Sequence, residues 1–147
     1  MTGVRIVGRV PRMENVLFQK IQRLRDEVEY IKANRERFLG EMKLSADVRK
    51  TAERSVFLCA EMVLDIADLM IVKKGRPKPV TYRDAIQKLG EYGYVPREFA
   101  YNFMYVAGLS NFLAHDYLKD TTPTLEDFVR EKVSDVEKFL ALIEEKA

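Results

Sequence analysis

His115 is the only histidine in the chain, and it sits in the run AGLSNFLAHDYL that extends from Ala107 to Leu118. Imidazole titrates near neutral pH without help, so a histidine of this kind is the usual proton shuttle of metal-free acid–base chemistry. Asn111 precedes it by four residues, which on a helix puts the two side chains about 40° apart on one face, while Ser110 falls about 140° from His115. A polar pair among Phe103, Val106, Leu109, Phe112 and Leu113 must be hydrogen-bonded internally or open onto a cleft or a partner, because burying it unpaired costs roughly a few kcal/mol. Spacing alone leaves two readings open, a proton-transfer site and a structural hydrogen-bonding histidine.

The elements that must position this run are helical. Leu17, Ile21, Leu24, Val28 and Ile31 recur at spacings of four and three and predict an amphipathic first helix to about Phe38, with Gly40 as its stop. Ser45 is a candidate cap for a second helix whose stripe passes through Val48, Ala52, Ser55, Cys59, Met62, Ile66 and Leu69. That stripe is widened by Leu58, Val63 and Met70, which suits a central helix packed on two sides. The segment from Lys73 to Pro79 holds two prolines, a glycine and the cations Lys73, Lys74, Arg76 and Lys78, and reads as a connector. Thr81 with Asp84 predicts a capped short helix ending around Gly90 to Gly93, and Pro96 suits the first turn of the His115 helix. Thr124 with Asp127 resembles a further capping box before a last helix lined by Phe128, Val129, Val133, Val136, Leu140 and Ile143.

No segment combines β-branched alternation with hairpin turns, so the expected class is all-α: four long helices, antiparallel through short connectors, with one additional short helix before the third. At 147 residues and 47% hydrophobic content the chain makes one domain, residues 13–147, preceded by an arm over residues 1–12 for which disorder is the favoured expectation. Cys59 is the sole cysteine, which excludes an intrachain disulfide and a cysteine-based zinc site and suits a buried thiol in a reducing compartment. No metal constellation or phosphate-binding glycine loop is visible, and no cofactor is expected. A net charge of +2 with 33% charged residues argues against a protein that coats nucleic acid, so any RNA contact must be local. The sequence has no apolar run of membrane-spanning length and no signal-peptide core, which makes the expected location cytoplasmic.

From Thr81 to Leu118 the chain resembles HepT, the toxin of HepT/MntA toxin–antitoxin pairs and a member of the HEPN superfamily of helical ribonucleases. The features that carry the likeness are the TYR opening at Thr81, the Pro96-Arg97-Glu98 helix start, the closing pattern of Asn111, His115 and Tyr117, and a preceding helix from Ala52 to Asp68. The resemblance extends from about Met13 to the C-terminus and implies a HEPN-like antiparallel four-helix bundle. In that family an Arg is followed after a few residues by His, then by one residue and a Tyr. Here His115 and Tyr117 fit, Asn111 matches the Asn that commonly follows the Arg, and Ser110 occupies the position of the Arg. Arg54, Asp65 and Asp68 match polar positions of the family's second helix more weakly.

The resemblance implies metal-independent endoribonuclease activity in a homodimer, with RNA as substrate and an MntA-like minimal nucleotidyltransferase as antitoxin. Such cleavage needs a base, an acid and positive charge on the phosphoryl oxygens, and one His per chain supplies only one of the first two at a time. A twofold dimer brings a second imidazole to the same cleft. In the family the Arg stabilises the phosphoryl group and the Tyr is where MntA attaches AMP, which implies Tyr117 as a modification site here. Ser110 cannot carry the charge, which leaves three alternatives: a cation from elsewhere supplies it, such as the Lys73, Lys74, Arg76 and Lys78 loop, a candidate RNA contact; the chain cleaves weakly; or it is a catalytically impaired module that binds a nucleotidyltransferase, with or without RNA.

Overall fold

The computed structural model describes the backbone of residues 2–115 and 119–147, with side chains from residue 15 onward. Among these residues there is no strand. The elements are α1 (Thr2–Ala33), α2 (Arg35–Glu41), α3 (Ala46–Lys73), α4 (Tyr82–Glu91), α5 (Arg97–Asn102), α6 (Tyr105–His115), α7 (Thr122–Asp127), a π-helical turn (Phe128–Lys132) and α8 (Val133–Lys146).

Side-chain pairs give the helix directions. Lys20 meets Asp65 at 3.2 Å and Ser55 donates to Glu27, so residue numbers fall along α3 as they rise along α1. Lys32 with Glu137 at 2.7 Å and Arg25 with Glu144 set α8 antiparallel to α1. Ser110 donates to Glu61 and Thr121 to Glu53 at 2.7 Å, so α6 runs against α3, while Phe103 on Phe139 and Tyr105 donating to Asp135 at 2.7 Å run this segment against the last helix. The result is the up-down bundle expected from the apolar stripes, with α2 and α4 as short insertions. Every stripe residue named for α1 and for the last helix is buried, as is most of the α3 stripe, including Ala52, Cys59 and Ile66. Burial pushes the Cys59 thiol up, which leaves it without nucleophilic character.

Local chemistry explains most of the boundaries. The Ser45 hydroxyl accepts the Val48 N–H at 3.3 Å, and the Thr81 hydroxyl accepts the Asp84 N–H at 3.0 Å. The Asp84 carboxylate in turn accepts the Val80 N–H at 3.2 Å, closing a reciprocal cap one residue earlier than the usual box.

Four boundaries differ from the sequence expectation. Residues 2–12, expected as an arm, continue α1, although Pro11 within it can donate no N–H to the preceding turn; extending an existing helix avoids the cost of a new nucleus. The first helix does not run unbroken to Phe38. It breaks at Asn34, whose side-chain amide donates to the Tyr30 carbonyl at 2.9 Å, and α2 then passes through Gly40 with Phe38 fully buried. The last helix starts at Thr122 rather than at a Thr124 cap, because the Asp120 carboxylate accepts the Thr122 N–H at 3.0 Å. That bond, with the Thr122 side chain and the cations Arg49 and Lys43, holds the Asp120 carboxyl below its ordinary range.

The fourth difference bears on the site. The helix from Pro96 to His115 is two helices, α5 and α6, parted at Phe103 and Met104. Phe103 stacks on Phe139 with ring centroids 5.4 Å apart, while Tyr105 bonds Asp135 on the same helix. Residues two apart on a continuous helix point to opposite faces, so both can reach α8 only if the backbone breaks between them. Phe99 joins the cluster at 4.9 Å from Phe103. Truncating its buried centre, Phe139→Ala, should cost about 3–5 kcal/mol. Thermal unfolding should then show Tm lowered by roughly 10 °C.

Candidate active site

His115 is the last residue of α6 and is exposed, as is Asn111 one turn before it. Gly108, another turn back, is exposed as well, so one strip of α6 from Gly108 through Asn111 to His115 is uncovered by the rest of the chain. Asn111 and His115 are therefore brought together on one outer face, and the polar pair is reconciled with its apolar neighbours by facing outward. Val106, Leu109 and Leu113 take the opposite, buried side.

Ser110 is not on the His115 face. It is 5% exposed, turned against α3, and its hydroxyl donates to the Glu61 carboxylate. Position 110 is thus walled by an acid. Glu61 was not singled out from the sequence, because nothing in the α3 pattern distinguishes it from other polar residues until the α3–α6 register is known.

Carrying the Ser110–Glu61 register five residues further along α6 puts His115 level with Val56. Arg54, on α3, then lies at the His115 end, seven residues from Glu61 and so on the same face of that helix. Its guanidinium sits 5.9 Å from the centre of the Phe57 ring. Lys119 is another cation at this end, with its ammonium 6.0 Å from the centre of the Phe112 ring, and Arg49 and Lys43 stand close enough to act on Asp120 beside it. Asp116 and Tyr117 lie outside the described residues.

The Lys73–Lys78 loop is at the other end of the bundle. Lys73 ends α3, seventeen residues beyond the level of His115, or about 25 Å along the helix axis. Lys73 donates to the Ala147 carbonyl at 3.1 Å, and the Arg76 guanidinium lies 4.1 Å from the centre of the Tyr92 ring. Lys78 is close enough to Asp68 to act on its carboxyl, which burial nonetheless raises above the ordinary range. Lys74 is exposed. Within one protomer this loop cannot neutralise a phosphoryl group held at His115, contrary to the sequence expectation, because the antiparallel packing of α3 on α6 sends the two sites to opposite poles.

Among the described residues no group of acids, Cys59 and His115 is arranged to hold a metal ion. Nor is any helix among them long and apolar enough to cross a membrane.

The model of the HepT-like family, described as ribonuclease HepT-like, matches residues 17–143. The chain belongs to the HepT-like family. Its fold is similar to that of a chain in a toxin–antitoxin crystal structure with AMP-PNP, at 18% identity and a TM-score of 0.74 over 86% of this chain and 98% of that one. A tri-AMPylated Shewanella oneidensis HEPN toxin in complex with MNT antitoxin is similar at 19% identity, TM-score 0.74, over 88% of this chain and 97% of that one. A cytosolic protein of unknown function from Bacillus subtilis, YutE, is similar at 18% identity, TM-score 0.63, over 82% and 88%. No curated protein matches. At these identities the structural likeness speaks for the HEPN-type bundle, and the family match places the chain within it.

Proposed function

We propose that the chain is the toxin of a HepT/MntA-type (type VII) toxin–antitoxin pair, a metal-independent endoribonuclease acting as a homodimer through His115. The observation that carries this reading is the exposed Asn111–His115 face at the end of α6, in a chain matched by the HepT-like family over residues 17–143. In the proposed reaction one His115 imidazole takes the ribose 2′-hydroxyl proton. The 2′-oxygen attacks phosphorus, and the imidazole of the second copy protonates the departing 5′-oxygen. Asn111 donates to a phosphoryl oxygen from the adjacent turn. An outer face carrying the histidine supports the dimer, since a twofold axis beside it sets the two copies around one cleft. The dimer should sediment as such at micromolar concentration, and a monomer would remove the paired-imidazole mechanism.

The antitoxin in this reading is an MntA-like nucleotidyltransferase that transfers AMP from ATP to the Tyr117 hydroxyl, releasing pyrophosphate. An AMPylated HEPN toxin among the similar structures supports it. The added phosphate brings negative charge and bulk beside a site that must accept an RNA phosphate, which suffices to inhibit. Incubation with a minimal nucleotidyltransferase and magnesium ATP should add the mass of AMP to the intact protein and stop RNA cleavage, with both effects lost in Tyr117→Phe. Labelling that persists in that variant would strike Tyr117 from the site.

One observation favours a second reading. Buried Ser110 donates to the half-buried Glu61, and a carboxylate beside the position that the resemblance sets against the family Arg supports it. That is the arrangement expected of a HEPN module that retains dimerisation and antitoxin binding while cleaving RNA poorly.

A further inference from the structure

A groove crosses the bundle at the pole opposite His115, over the junction of α4 and α5. It consists of two adjoining clefts. One, about 440 Å³, is lined by Arg83, Arg97 and Tyr101 among others. The second, about 500 Å³, shares Arg97 and continues past Tyr94 towards the end of α8. Gly90 forms the floor of both. A Cβ there would stand 2.8 Å from that of Ala100, so the glycine is what lets α4 lie against α5 and leaves Arg97 between the two clefts.

The lining includes two guanidinium groups, Arg83 and Arg97, and two tyrosines, Tyr94 and Tyr101. Tyr101 is 80% exposed although nothing in the bundle requires an aromatic there. Arg76 lies on the Tyr92 ring, and Tyr92 packs on Tyr94 with centroids 5.8 Å apart, which carries the basic and aromatic series to the Lys73–Lys78 connector. Two acids line the groove: Glu91, shared by both clefts, is held by the Gln87 amide at 2.8 Å and by Lys88 at 3.5 Å, and Glu145 lines the second cleft together with Lys146. Arg83 and Arg97 make no ion pair among the described residues.

We propose that this groove binds single-stranded RNA, Arg83 and Arg97 contacting phosphates and Tyr101 stacking on a base. The proposal rests on the nuclease reading and adds to it a substrate-holding surface distinct from the cleavage site. Guanidinium groups without carboxylate partners recognise phosphate, and exposed tyrosines stack on any base, so together they hold a strand without reading its sequence. Tyr101, on α5, and His115, at the far end of α6, are separated by the length of α6, about 15 Å. A strand of several nucleotides spans that distance, so the groove would retain the RNA on one side of the cut and disfavour very short substrates.

The test uses the full chain carrying His115→Ala, so that labelled RNA survives while its binding is followed by fluorescence anisotropy. Arg83→Gln with Arg97→Gln should weaken binding of a single-stranded oligonucleotide at least tenfold. Loss of two phosphate contacts should also flatten the slope of log affinity against log salt by about 1.4. Tyr101→Ala should weaken binding about tenfold with the salt slope unchanged. All three residues are outside the core, and unchanged thermal unfolding would confirm intact folding. Unchanged affinity in the arginine variant would overturn the groove and leave the nuclease reading in place. Absence of RNA binding by the parent chain would remove both. Retained RNA binding with lost nucleotidyltransferase binding would make the groove a protein interface and overturn the proposal.

Discussion

Ser110→Arg should raise the single-turnover rate of RNA cleavage by about a hundredfold or more, the amount that one fixed electrostatic stabiliser supplies to a transition state. The Ser110 side chain faces α3 and meets the Glu61 carboxylate. An arginine in its place is longer and reaches the His115 cleft only by following the α3 face outward past Glu61, whose carboxylate competes with the RNA phosphate for the guanidinium. Extra volume at a buried position costs about 1–3 kcal/mol, so Tm should fall modestly even as the rate rises. Charge on the phosphoryl oxygens grows as the 2′-oxygen attacks, so the gain should appear in the rate and much less in RNA affinity. The measurement is cleavage of mixed cellular RNA in EDTA by the parent chain and by the variant. A parent already active and unchanged by the substitution would show that another cation fills the role. Arg54 is then the residue to remove, because it shares the α3 face with Glu61 and stands at the His115 end, whereas the Lys73–Lys78 loop stands at the other. Silence in both proteins would favour the binding-module reading.

How far the sequence reached follows from what periodicity can encode. Leu17, Ile21, Leu24, Val28 and Ile31 declare an amphipathic helix by their spacing alone, and all five are buried. Ser45 and Thr81 declare caps because a hydroxyl three residues before an N–H is a local arrangement, and both caps form. That Asn111 and His115 share a face was legible for the same reason, being four residues apart on one helix, whereas that this face is the exposed one was not. What stayed hidden depends on the register between helices. The break at Phe103 exists because two residues must both reach α8, a demand made by Phe139 and Asp135 some thirty residues away. The Ser110–Glu61 pair spans 49 residues. The basic loop and the histidine are both conspicuous in the sequence, and only the direction of α3 against α6 shows that they sit at opposite poles.

His115→Ala should bring cleavage to the background of the assay, both in the parent chain and in the Ser110→Arg background, where the larger starting rate makes the loss easier to measure. A positioned acid or base contributes about 10²–10⁴-fold, and in a homodimer the substitution removes one of each. The stronger test uses mixed dimers with one intact subunit and one carrying His115→Ala. Were each subunit a complete site, a mixed dimer would keep half the activity. With one imidazole as base and the other as acid around a single cleft, it should instead fall by about a hundredfold or more, since either missing group leaves a proton transfer unassisted. Dimers prepared with different affinity tags and purified in tandem would give the number directly. Half activity would leave His115 in the site and end the paired mechanism, and full activity in the homodimeric variant would take His115 out of the chemistry altogether.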